Sequence, residues 1–370
     1  MDRTLINRLE HGARPMRPHH AADLDKALGT GTVLQSLVQQ GGGDSAMHRR
    51  AMLWMLSAAV SVTAATGRAT LDELLRTGML DAIEQPEDWD QVVAEMQRRL
   101  VLAPDEEFGA ALGGKLLVVR QAIADEENAD DIRAAAMLSL FYGLWRGNAG
   151  NFPGAVGWYR TAAALARESG DTATETYVLG RSASRGVYEG MSREKVNDIA
   201  EQALAVTDAP TLGGLEARSA LAGVAAMTGD LEAGRRHVKA MRGIADKLDD
   251  DGPTGAYPRT VNFDIFVESR TGDQKSADRA RAEAEKALAR TPLWLAESRV
   301  YYALAMARAG DVRGAATFAL DAIQTVPWSV HTLAMAASDV LTAVPKGDRT
   351  DEVEELRRYA SSGPGPWETL

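Results

Sequence analysis

Gly229-Asp-Leu-Glu-Ala-Gly234 is one copy of a recurring hexapeptide: a glycine, an Asp or Asn, three variable residues and a small residue. Three further clear copies are Gly150-Asn-Phe-Pro-Gly-Ala155, Gly272-Asp-Gln-Lys-Ser-Ala277 and Gly310-Asp-Val-Arg-Gly-Ala315, and Gly190-Met-Ser-Arg-Glu-Lys195 is a degraded one. In chain order the five first glycines are 40, 39, 43 and 38 residues apart, which is the period of a repeat. Each copy reads as a tight turn between two antiparallel helices. Glycine accepts the left-handed conformation that ends the first helix, and the Asp or Asn side chain caps the open amides of the second. The small residue five positions on lets the two helices approach closely. In the first copy Pro153 falls where a first-turn proline is tolerated, and Phe152, Ala155, Val156, Tyr159, Ala162, Ala163 and Ala166 then recur at helical spacing. A single hairpin cannot bury its own apolar face, so the hairpins must stack, and the expected fold is an all-α helical-hairpin solenoid.

Composition agrees with that reading. The chain has 370 residues of which 45% are apolar, too many for a largely disordered protein. Cysteine is absent, which excludes disulfide frameworks, thiol nucleophiles and cysteine zinc sites. The most apolar run, residues 51 to 66, follows Arg49 and Arg50 and lies inside the chain. It is shorter than the roughly 20 residues that cross a bilayer, so it reads as a buried helix of a cytoplasmic protein with no membrane partner. Net charge is −11, yet residues 1–50 hold seven Lys/Arg and five Asp/Glu, leaving the acidic excess in the rest of the chain. From Arg3 to His20, four arginines and three histidines face the single acid Glu10. Nucleic acid, if bound, is expected at this basic end and not on the acidic body.

The repeats resemble the tetratricopeptide repeat family. Its small positions match Gly143, Ala155 and Ala162 in one repeat and Ala303, Ala315 and Ala322 in another, with Pro327 at the closing proline. The aromatic positions depart from the pattern, Arg146 standing at one of them, and the period exceeds the 34 residues of that family, which implies longer helices.

The opening stretch carries a second resemblance. Asn7-Arg8-Leu9-Glu10-His11-Gly12, the loop prolines Pro15 and Pro18, and Ala27-Leu28-Gly29 occur in the order found in the second half of a lambda-repressor-type (Xre-like) helix-turn-helix domain. The match starts at the recognition helix, so the resemblance implies either a bracing helix encoded upstream of Met1 or a domain that has lost its reader. In a complete domain Arg3, Thr4, Asn7 and Arg8 would lie on one side of the helix. Arginine and asparagine suit bidentate base contacts, and threonine suits phosphate. The whole then looks like an actinobacterial regulator that joins such a reader to repeats and acts as a homodimer.

Residues 1–40 are accordingly read as the partial helix-turn-helix segment, 41–45 as a glycine linker and 46–130 as a connecting helical region. Residues 131–360 form the repeat solenoid and 361–370 a tail. Trp54, Leu74, Leu75, Trp89, Val92, Val93, Met96 and Leu100 are the expected core of the connecting region. First helices of the hairpins are expected near Ile132–Asn148, Thr172–Glu189, Leu212–Thr228, Tyr257–Thr271 and Leu293–Ala309, lining a concave face, with a final helix pair between Trp328 and Tyr359. On those first helices Tyr142, Trp145, Tyr177, Arg181, Arg185, Arg218, Asn262, Phe266, Arg299 and Tyr301 are the candidate groove residues. Their arginines and asparagine suit a peptide backbone or carboxylate, and their aromatics supply packing.

No catalytic set emerges. Gly109 to Lys115 has the outline of a phosphate-binding loop, but Leu116 replaces its Ser/Thr and the surroundings are helical. Neither His237 nor His331 has a partner at metal-ligand spacing, so no metal and no cofactor is expected. Two readings stay open. One is a regulator whose solenoid senses a peptide, small molecule or protein and controls DNA binding. The other is a DNA-blind repeat scaffold that holds a peptide or protein partner.

Overall fold

The structure is a computed structural model that describes residues 88–102, 106–125, 128–248, 252, 254–326 and 331–362. The expectations placed on Arg3, Thr4, Asn7 and Arg8, on the glycine linker, on Trp54, Leu74 and Leu75, on Pro327 and on the end of the tail lie outside the described residues. The chain divides into two compact units, one of residues 88–102 and 127–370, the other of 1–87 and 103–126.

Among the described residues there are fourteen α-helices and no strand. They are α1 (Trp89–Leu102), α2 (Glu106–Asp125), α3 (Ala129–Asn148), α4 (Phe152–Glu168), α5 (Thr172–Gly186), α6 (Arg193–Val206) and α7 (Leu212–Thr228). There follow α8 (Leu231–Ala245), α9 (Ala256–Glu268), α10 (Gln274–Ala287), α11 (Pro292–Arg308), α12 (Val312–Gln324), α13 (His331–Thr342) and α14 (Asp351–Ser362). Helix α2 is the described part of the smaller unit. It takes in Gly109 to Lys115, so the segment with a phosphate-loop outline is helical. All the others belong to the larger unit, a helical-hairpin solenoid.

The hexapeptides make its turns. Gly150, Gly190, Gly229, Gly272 and Gly310 all sit at left-handed φ, between 73° and 97°. At Gly229 the amide of Asp230 reaches back to the Ala225 carbonyl (2.9 Å) and that of Gly229 to Ala226 (3.3 Å). The same pair of bonds closes α3 at Gly150 and α11 at Gly310, satisfying carbonyls that the helix end leaves open. The residue after the glycine then starts the next helix with its side chain. Asn151 accepts from the Gly154 amide, Asp230 from Ala233, Asp273 from Lys275 and Ser276, and Asp311 from Gly314, all within 2.9–3.3 Å. In the degraded copy the helix begins one residue later. Ser192 is the cap of α6, and Val196 takes the buried position in place of Lys195. At the small position of the clear copies Ala155, Ala277 and Ala315 are fully buried, and a Cβ on Gly234 would come 3.2 Å from Val267.

First and second helices of the hairpins bury different amounts of surface. The second ones are amphipathic: α10 buries only Ala277, Ala280 and Ala284, a stripe at helical spacing. The first ones are buried on nearly every side, α9 at twelve of its thirteen residues. That pattern requires neighbours on both flanks and something across the concave side. The last first-helix supplies it, because α13 comes back into contact with α3. His331 at the start of α13 donates from Nε2 to the Tyr188 carbonyl (3.2 Å), and its ring stacks obliquely on Phe152, centroids 4.4 Å apart. Thr332 hydrogen-bonds Glu297 on α11. The row of hairpins therefore curls until its end meets its beginning.

Successive first helices pack closely through glycine. A Cβ on Gly180 of α5 would lie 2.1 Å from the Gly213 carbonyl oxygen, and one on Gly213 of α7 would lie 2.3 Å from the Thr176 carbonyl carbon. Both obstacles are backbone, so neither can swing away. Gly157 on the outer face of α4 meets nothing within 4 Å. Gly180→Ala is therefore expected to destabilise the protein by about 3 kcal/mol or more, while Gly157→Ala stabilises it by about 0.5–1 kcal/mol through helix propensity alone. Denaturant melts of the two variants check this, and a neutral Gly180→Ala would contradict the close approach.

Candidate functional site

A cavity of about 170 Å³ lies at the centre of the curl. Its wall takes residues from α1 and from every first helix: Leu100, Phe141, Leu144, Tyr177, Arg181, Arg185, Glu216, Arg259, Asn262, Phe263, Trp294, Glu297, Tyr301 and Thr332 among them. Most of the wall is apolar or aromatic, and into it a few charged side chains are set. Removing such groups from water is unfavourable unless they are paired, so their partners matter.

Two ion-pair groups meet that demand. On α5, Arg185 donates through Nε to Glu189 (2.7 Å) and through Nη2 to Asn148 of α3 (2.8 Å). Glu189 also accepts from the Tyr159 hydroxyl of α4 (2.7 Å), which ties the first hairpin to the second. Burial still wins at Glu189, raising its pKa above the ordinary carboxylate value despite Arg185 and Tyr159. Gly147 makes room for this carboxylate, since a Cβ there would sit 2.1 Å from Glu189 Oε1. The second group centres on Glu216 of α7. Arg181 of α5 donates through Nη1 to both of its oxygens (3.1 and 3.2 Å), and Arg259 of α9 pairs with it from the other side. Burial alone would raise the pKa of Glu216, but the two guanidinium groups outweigh it and hold the value below normal.

Glu297 of α11 is different. It is 6% exposed and makes no ion pair among the described residues. Burial raises its pKa, offset in part by the Thr332 hydroxyl, by the Coulombic reach of Arg185 and by a hydrogen bond from the Asn262 amide. With its nitrogen directed at Glu297, Asn262 has a carbonyl oxygen that is buried without a donor. Among the described residues, a buried carboxylate without an ion pair and a buried amide oxygen without a donor thus stand together on the wall.

Of the ten groove residues expected from sequence, Tyr177, Arg181, Arg185, Asn262 and Tyr301 line the cavity. The structure places the other five elsewhere. Tyr142 stacks against Trp145 (5.3 Å) and against Trp158 of α4 (4.7 Å). Phe266 packs edge-on to Tyr301 (5.0 Å) with the Arg270 guanidinium over its face. Arg299 turns outward to Glu285 of α10 (2.7 and 2.8 Å), and Arg218 lies within Coulombic reach of His237 on α8. Arg181, Arg185 and Arg299 each have a carboxylate partner within the protein, Glu216, Glu189 and Glu285 respectively. Arg259, Glu216, Glu297 and Trp294 were missed. The available signal was a charged residue inside an otherwise small or apolar stretch, as in Gly213-Gly-Leu-Glu-Ala217 and Leu293-Trp-Leu-Ala-Glu297. Among the described residues no cluster is suited to a metal ion, and no helix is long and apolar enough to cross a membrane. Neither a protein-family model nor a curated protein matches the chain.

His331 at the closure is a titratable joint. Its Nδ1 is buried without a partner among the described residues, and burial, with Arg185 adding repulsion, lowers its pKa to about 4. An unfolded histidine titrates near 6.5, so between those values the unfolded chain binds more protons than the native one. His331 thus contributes stability that is complete above about pH 6.5 and is lost as pH falls through the native value near 4. The melting temperature is expected to drop over that window, and His331→Gln, which keeps a donor for Tyr188, should flatten the drop. Identical pH profiles for the two proteins would refute the assignment.

Proposed function

We propose that this protein is a ligand-responsive transcriptional regulator: the curled solenoid receives a small ligand in its central cavity, and residues 1–40 engage DNA. The observation that carries the reading is the cavity wall. Every first helix contributes to it, so an occupant bridges hairpins far apart in sequence and biases how tightly the curl closes. The wall also holds the Asn262 carbonyl oxygen, a buried acceptor without a donor among the described residues, which is uncommon for a purely structural core. At about 170 Å³ the space suits a small molecule better than a folded partner or a long peptide.

The DNA half of the proposal rests on the resemblance of Asn7 to Gly12 and Ala27 to Gly29 to a helix-turn-helix domain, and on the basic composition from Arg3 to His20. With about four phosphate contacts, affinity for duplex DNA is expected to fall about a hundredfold between 50 and 200 mM salt. Fluorescence anisotropy of the full chain, extended upstream where the reading frame is open, measures this directly. Arg3→Ala combined with Arg8→Ala should weaken binding at every salt concentration. Stripping small molecules from the chain by denaturation and refolding should change DNA affinity by about 5–150-fold if the two sites are coupled. Absence of salt-sensitive DNA binding would favour a repeat scaffold instead.

A further inference from the structure

Resting on the reading of the cavity as a ligand site, we infer that its occupant is a free α-amino acid with an apolar side chain, bound as the zwitterion. Opposite charges face the space from different helices without cancelling each other. Among the described residues Glu297 on α11 has no ion-pair partner, and beside it the Asn262 carbonyl oxygen is a buried acceptor with no donor. An ammonium group carries three donors and no acceptor, so it satisfies both oxygens together and supplies the missing charge.

Arg181 on α5 holds the other end. It donates only through Nη1, to a Glu216 carboxylate that it shares with Arg259, and its Nε and Nη2 make no hydrogen bond among the described residues. Two parallel donors on one guanidinium are the geometry that a carboxylate accepts in bidentate fashion. Glu297 and Arg181 lie within Coulombic reach but form no ion pair, so a gap separates them. An α-amino acid fits such a gap: its ammonium and carboxylate are one carbon apart, and each is approached at about 2.8 Å.

The rest of the wall fixes the side-chain class. Phe263, Trp294 and Tyr301 present aromatic surface next to these groups. The cavity of about 170 Å³ slightly exceeds the roughly 150 Å³ that admits benzene, which matches a leucine-sized or phenylalanine-sized molecule. An inorganic anion would use only Arg181, and a simple amine only Glu297 and Asn262. The zwitterion uses both.

The test is calorimetric titration and thermal shift of the ligand-stripped full chain with the twenty L-amino acids. For each binder, the N-acetyl derivative and the decarboxylated amine follow. At least one branched-chain or aromatic amino acid is expected to bind, with both derivatives at least tenfold weaker. Glu297→Gln is the informative variant. It keeps an acceptor oxygen for the Thr332 hydroxyl and relieves a buried charge, so it should melt no lower than the wild type yet bind the amino acid at least tenfold more weakly. Arg181→Lys, which keeps the charge but not the fork, should weaken binding by at least tenfold as well. An amine or N-acetyl compound that binds as tightly as its parent would overturn the zwitterion while leaving a ligand site in the cavity. So would Glu297→Gln binding as the wild type does. No response to any of the twenty overturns the proposal outright, and the DNA measurements above then judge the wider reading independently.

Discussion

Five glycines at left-handed φ determine everything else in the larger unit. Each turns the chain in the fewest residues possible, and the Asp, Asn or Ser beside it begins the next helix at once. Short turns keep the two helices of a hairpin antiparallel, and small residues at their crossing keep them near. Stacked at a nearly constant period, such hairpins curve in one sense. Here the curvature is strong enough that α13 reaches α3, which encloses the first helices and takes their inner faces out of water.

Enclosure then selects the chemistry inside. A charged group on an open concave face is hydrated by solvent, whereas in a closed curl it needs a partner on another helix. The pairings reflect this: Arg185 of α5 bonds Asn148 of α3, Glu216 of α7 bridges Arg181 of α5 and Arg259 of α9, and Glu297 of α11 accepts from Thr332 of α13. Polar links thus run through all six first helices, and each fixes the rotation of one helix against another. The wall beside them is apolar, so the links operate in a poorly screened environment where misplacing one group is expensive.

The turns were legible in the sequence because they are local. Glycine, a capping side chain and a small residue at fixed offsets decide where one helix stops and the next starts, and the first helices fall within a few residues of the places those offsets imply. The cavity was only half legible for the opposite reason. A helix buried on all sides has no polar face to mark its orientation, so spacing alone does not separate Tyr301, which lines the cavity, from Phe266, which packs behind it. Tyr142 was drawn away by Trp158, a partner on the second helix of the hairpin, and Trp145 packs against Tyr142. The carboxylates Glu216 and Glu297 were inconspicuous in an acidic chain, their one mark in sequence being the small and apolar residues around them, and their burial is what identifies them. His331 had no visible partner in sequence because its partner, the Tyr188 carbonyl, lies 143 residues earlier.

The meeting of α13 with Tyr188 and Phe152 also bears on how such a chain can change over generations. An open array of hairpins tolerates gain or loss of a unit, since each copy touches only its neighbours. A ring does not: one hairpin more or fewer would carry His331 past its acceptor and pull the walls of the chamber out of alignment. Duplication, a route by which repeat proteins lengthen, would here break the closing contacts of His331, whereas point changes within the existing copies would leave them in place.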